Sequence, residues 1–232
     1  MKRLILFDID GTLVTGGPAK GAFKLALEKV YGTTGPIESW EFSGKTDPQI
    51  ARELLKAAGL DDARIDQGLG RLWEIYLEEM ERRLPKEPTQ ILPGVRTLVD
   101  ALAAQEEVAL GLVTGNVSRG ARLKLDPVGL TGRFGIGAFG SDHEIRNELP
   151  GIAMSRARER WGTPFAPRQT VVIGDTPRDV ECGRHHGTWT LAVATGRFSS
   201  QELRSSGADA VVDDLSGTDG VLELLRSWKP AA

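Results

Sequence analysis

The segment "LILFDIDGTLV" at residues 4–14 decides the fold. Leu4 to Phe7 are all apolar, the pattern of a strand buried on both faces, and such strands belong to parallel sheets covered by helices. Two carboxylates, Asp8 and Asp10, follow at once. In extended backbone, residues two apart point to the same side, so both would face one small volume at the strand's end. Like charges that close repel unless a proton or a cation lies between them. Gly11 allows a tight exit from the strand, and Thr12 offers the loop a hydroxyl. A bare Asp-x-Asp before glycine reads as an ordinary turn. A full D-x-D-G-T straight after a buried strand is much rarer and points to chemistry.

Similar runs recur at residues 108–114 (VALGLVT), 135–141 (GIGAFGS), 170–175 (TVVIGD), 189–195 (WTLAVAT) and 209–214 (DAVVDD), and each is a strand candidate. Amphipathic segments with proline near their starts and glycine past their ends lie between the later ones. Strands alternating with helices predict an α/β fold with a parallel sheet. Between Gly16 and Ile91 the rhythm breaks: no strand is expected, and AKGAFKLALEKVYG, DPQIARELLKAAGL and GLGRLWEIYLEEMERRLP carry apolar residues at helical spacing. The division expected is therefore a core of residues 1–15 and 92–232 with a helical insertion over 16–91, returning through the proline-rich linker LPKEPTQILPG.

The chain of 232 residues can bury a core unaided, and 29 basic against 32 acidic residues form no block of either sign. Neither nucleic acid nor a membrane is an expected partner on charge or hydropathy. One cysteine, Cys182, permits no intramolecular disulfide, which favours a reducing cytoplasm, and it reads as a packed small residue. The three histidines read as surface residues, and Trp40 and Trp73 as core. A monomer or homodimer is expected.

In an open parallel sheet, functional groups gather beyond the carboxyl ends of the strands. Three ends carry signals here: DIDGT, Thr114-Gly115-Asn116, and Gly174-Asp175-Thr176-Pro177-Arg178-Asp179. Asp8 and Asp175 meet if their strands are neighbours, and the resulting all-oxygen site would select Mg²⁺. Thr114 and the following N–H groups of Gly115 and Asn116, at the start of a helix, make a phosphate cradle.

DIDGT, the run ending in Thr114, and GDTPRD resemble motifs I, II and IV of the haloacid dehalogenase-like hydrolase superfamily, in order and spacing across nearly the whole chain. The resemblance implies a Rossmann-like core, an α-helical C1-type cap and Mg²⁺-dependent phosphoryl transfer. It makes Asp8 the nucleophile and Asp10 the acid and base. Thr114 would hold a phosphoryl oxygen. Mg²⁺ would take the Asp8 and Asp175 carboxylates and the Asp10 carbonyl, with Asp179 ordering a metal-bound water. Where the family places a motif III lysine, the stretch SDHEIRNELPGIAMSRARERWG has none. Arg146 and Lys124 are the alternatives for that cation. The loop FSGKTDPQI resembles the substrate-facing cap loop of phosphoglycolate phosphatase-like relatives, which makes Lys45 and Thr46 substrate-binding candidates. The expected activity is hydrolysis of a small-molecule phosphate monoester, 2-phosphoglycolate or a sugar phosphate. The alternatives are a phosphomutase and a catalytically weak phospho-ligand-binding or signalling protein.

Overall fold

A computed structural model describes residues 3–228; the outermost residues of the expected core, 1–2 and 229–232, lie outside it. Strand β1 (Arg3–Phe7) is central in a six-stranded parallel sheet of order β5-β4-β1-β6-β7-β8, formed with β4 (Val108–Thr114), β5 (Ile136–Phe139), β6 (Thr170–Gly174), β7 (Trp189–Val193) and β8 (Ala210–Val212). This is the α/β parallel sheet that the alternating pattern predicts and the Rossmann-like core that the family resemblance implies. Phe7 pairs with Leu112 of β4 on one side and Ile173 of β6 on the other, which brings the three signal-bearing strand ends together. The pleat divides the apolar residues: Ile5 and Phe7 pack against α4 (Val95–Ala103), α5 (Ser118–Leu125) and α9 (Thr218–Ser227), while Leu4 and Leu6 face α6 (Leu149–Trp161) and Cys182 on α7 (Pro177–His185). The short helix α8 (Ser200–Ser205) lies beside β8.

The helical layer comprises α1 (Ala19–Tyr31), α2 (Asp47–Ala57) and α3 (Asp62–Arg83). Its apolar stripes, among them Ile65, Leu72, Tyr76 and Met80 of α3, close on a cluster of their own that also takes in Val117 from the sheet domain. Helix α3 begins at a cap that local chemistry supplies: Asp61 accepts from Arg64 N at 2.8 Å, several residues ahead of the periodic run that marks the helix in the sequence. Two short strands lie at the ends of the stretch read as strandless, β2 (Val14–Gly16) reaching its first residue and β3 (Thr89–Ile91) its last three. They pair antiparallel where the chain leaves and re-enters the sheet domain. Three residues are too few for a period-2 pattern to register, and the pairing joins segments that are remote in sequence.

Candidate active site

At the end of β1, Asp8 N donates to Ile173 O at 2.9 Å, tying the nucleophile candidate to the end of β6. The buried carboxylates of Asp8, Asp175 and Asp179 each offer an oxygen within 4.8 Å of the others. Arg146, in a short 3₁₀ turn ahead of α6, enters this group: its Nη2 lies 3.0 Å from Asp8 Oδ1 and also pairs with Asp179 Oδ1. Asp179 Oδ2 accepts from Thr176 N at 3.0 Å and from Thr176 Oγ1 at 2.6 Å, the reciprocal cap that starts α7. With both oxygens engaged, Asp179 fastens Arg146 against Asp8.

Asp175 accepts from Thr12 Oγ1 at 3.2 Å. Its carboxylate occupies space that only glycines leave: a Cβ on Gly11, whose φ is +81°, or on Gly196 would collide with it. Burial pushes Asp8 up to about 7 against the pull of Arg146, with Asp179 and Asp10 adding to the rise. Burial, then Asp179 and Asp8, push Asp175 up to about 9. Carboxylates that hold protons at neutral pH for want of positive charge are completed by a cation, and an all-oxygen donor set fits a hard divalent one. The residues present therefore fit such an ion.

Asp10 turns away from this cluster. Lys124 Nζ, reaching back from α5, lies 2.7 Å from both of its oxygens, and Asn116 Nδ2 donates to Oδ2 at 2.7 Å. Enclosure within the cavity works to raise the Asp10 pKa, but Lys124 and Asn116 outweigh it and hold it below the usual carboxylate range. Asn116 Nδ2 also donates to Thr114 Oγ1 at 2.8 Å, so the second strand end is braced to the first. Arg146 and Lys124, alternatives on the sequence, are both present and serve different carboxylates.

The helical layer closes the site. Asp47 N donates to Gly115 O at 2.7 Å, and Asp47 Oδ2 accepts from Val117 N at 2.9 Å. A cavity of about 400 Å³ remains between the layers, lined by Asp8, Asp10, Thr114, Gly115, Asn116 and Lys45 among others. Thr46 corrects the sequence expectation. Its hydroxyl caps α2 by accepting from Gln49 N at 3.2 Å and donates to Glu144 O at 2.6 Å, and the side chain is fully buried outside the cavity. Lys45 does line the cavity, but its ammonium pairs with Glu53 and lies 5.4 Å from the Trp40 ring centre. Cavity residues that are not candidates on the sequence include Asp47, Phe23, Phe42, Tyr76, Lys20 and Arg197. Asp47 stands beside Lys45 in the same loop and could have been found there; Phe23 and Tyr76 look like any apolar helix positions. Cys182 is buried, with its thiol pushed up to about 12 by burial, so it offers no nucleophile.

A family model described as haloacid dehalogenase-like hydrolase matches residues 2–187. The chain is a haloacid dehalogenase-like hydrolase. Among curated proteins, the hydrolase is 28% identical over 224 residues to a phosphoglycolate phosphatase of Pseudomonas syringae pv. syringae, covering 93% of this chain and 78% of that one. It is 27% identical over 236 residues to the "Probable phosphatase IndB" of Dickeya dadantii, covering 97% and 95%. A crystal structure of a hydrolase from Pseudomonas syringae shares its fold with a TM-score of 0.69 at 21% identity, covering 97% of this chain and 99% of that one. Among the described residues no helix is long and apolar enough to cross a membrane.

Proposed function

We propose that this hydrolase is a Mg²⁺-dependent phosphatase that cleaves a small-molecule phosphate monoester through a phosphoryl group carried on Asp8. The observation that carries the reading is the division of the acids. Asp8 stands with Asp175 and Asp179 in a cluster short of positive charge, while Asp10 is held apart by Lys124 and Asn116. Asp8 and Asp175, with the Asp10 carbonyl, would hold the ion. When bound, Mg²⁺ supplies the charge that lets a carboxylate approach an anionic phosphate. Asp8 attacks phosphorus, forming its O–P bond as the ester P–O bond breaks, and the departing oxygen takes a proton from Asp10. An incoming phosphate dianion beside Asp10 competes for the Lys124 ammonium and raises the proton affinity of Asp10, which arms it as the acid. Returned to its Lys124-bound form, Asp10 draws a proton from water, which then attacks the phosphoryl group and frees Asp8.

Thr114 and the N–H groups of Gly115 and Asn116 hold phosphoryl oxygens, and Arg146 adds charge-assisted bonds: its Nε is buried without a partner among the described residues. The segment 16–91 acts as the cap that excludes water during attack. The curated relatives nominate 2-phosphoglycolate as a substrate to test first, with sugar phosphates beside it. The single buried thiol fits a reducing cytoplasm. The test is p-nitrophenyl phosphate turnover with Mg²⁺ and with EDTA, in the wild type and in Asp8→Asn. Mg²⁺-dependent release that vanishes in the folded variant supports the reading. Turnover that survives EDTA or Asp8→Asn overturns it.

A further inference from the structure

The cavity extends past the catalytic carboxylates into the helical layer, and its far wall is unlike a site for a second anion. Phe23, Phe42, Tyr76 and Ile50 give it an apolar and largely aromatic surface. Five cations line it, and each already has a carboxylate neighbour, Lys20 sharing the exposed Glu38 with Lys24. Arg146 faces Asp8 and Asp179, Lys124 faces Asp10, Lys45 pairs with Glu53, Arg197 pairs with Glu41, and Lys20 lies 3.4 Å from Glu38. Outside the Asp8–Asp175–Asp179 cluster, the carboxylate left over is Asp47, which accepts from Val117 N and has no cation within salt-bridge distance among the described residues. Tyr76 is 2% exposed and lines the cavity, and its side chain enters none of the hydrogen bonds formed among the described residues. Burial, with Asp47 and Asp10 adding, keeps that phenol protonated.

A cavity-lining hydroxyl that makes no protein hydrogen bond is available to a ligand or a bridging water. A carboxylate beside it calls for a hydrogen-bond donor and repels a second anion, and the aromatic wall suits a ring face. Cavities of about 300–1,000 Å³ enclose drug-sized molecules, far more than a two-carbon ester fills. We infer that the leaving group is an uncharged, ring-bearing alcohol with at least one hydrogen-bond donor, placed against Phe42 and Phe23 and bonded to Asp47 and Tyr76. The site thereby discriminates against carboxylate-bearing esters such as 2-phosphoglycolate. This rests on the phosphatase reading above and narrows it.

The experiment compares kcat/KM with Mg²⁺ for 2-phosphoglycolate, glucose 6-phosphate and a nucleoside 5′-monophosphate, the two ring esters separating sugar from nucleoside leaving groups. The better ring ester should exceed 2-phosphoglycolate by at least about tenfold, as like-charge juxtaposition demands. Glu53→Gln releases Lys45, and Asp47→Asn removes the charge while keeping an acceptor for Val117 N. Each should shift the ratio toward 2-phosphoglycolate by about threefold or more, whereas a merely structural defect lowers all three esters together. Titration calorimetry of Asp8→Asn with the intact esters should give the same order of affinity without turnover. If no ester is hydrolysed but that order holds, the catalytic reading falls and the subsite stands. Wild-type preference for 2-phosphoglycolate, in turnover or in binding, overturns the inference, as does a ratio unmoved in both variants.

Discussion

Replacing Arg146 with alanine would leave Asp8 and Asp179 buried side by side with nothing positive between them. Removing one member of a buried charge group costs roughly 3–5 kcal/mol, so Arg146→Ala should lower the metal-free stability by about that amount in urea unfolding. Lys124→Ala should cost less than half as much, because the Asp10 carboxylate faces the cavity, with 47% of its side chain exposed. Both variants should lose turnover, and the contrast in stability separates their roles. Gly11 makes a different demand. Its positive φ and the Asp175 carboxylate filling the place of its Cβ leave no room for a methyl group. Gly11→Ala should therefore weaken Mn²⁺ or Mg²⁺ binding by about tenfold or more in titration calorimetry, the loss that follows when a metal ligand's support is displaced. Circular dichroism should remain that of the wild type. Asp8, Asp10, Thr114 and Asp175 are legible in the sequence because each sits in a local motif at a strand end. The division of labour between Arg146 and Lys124 is not, because it depends on how far a side chain reaches from a helix whose placement is tertiary.

At the start of α2, Asp47 joins the helical layer to the loop after β4, through Val117 N and Gly115 O. Burial pushes its pKa up to about 6, against the pull of Lys124. A carboxyl raised on folding contributes stability that is fully present below its unfolded value near 3.8 and is lost as pH rises through about 6. Asp47→Asn removes this dependence and keeps the acceptor. The variant should gain on the wild type between about pH 4 and pH 6, by no more than about 3 kcal/mol, in parallel denaturant titrations. A difference that stays flat across that range would show that folding does not raise the Asp47 pKa. The six sheet strands are readable because short apolar runs, most of them buried, need no partner to be noticed. The β2–β3 pair is not, since Val14 and Ile91 are partners only once three helices have folded between them.

Across the whole molecule the electrostatics reduce to a shortage of positive charge beside Asp8 and Asp175, and this couples stability to pH and metal together. Both carboxyls have folded values above the ordinary one, about 7 and about 9, with burial the first cause in each. Without metal, their contribution to stability is present below about pH 4 and is lost as pH rises through about 7 and then about 9. A divalent cation binds the ionised carboxylates and so competes with those protons, which opposes the loss. Thermal unfolding of the EDTA-treated protein should show Tm falling from about pH 5 to pH 9. With millimolar Mg²⁺ the fall should be shallower, the Mg²⁺-induced rise in Tm growing with pH because fewer protons remain to be displaced. Asp175→Asn removes one of the two groups and should flatten the EDTA curve at its alkaline end while abolishing most of the Mg²⁺ response. An EDTA curve that climbs with pH through this range, or a Mg²⁺ response that shrinks with it, would place the metal away from Asp8 and Asp175.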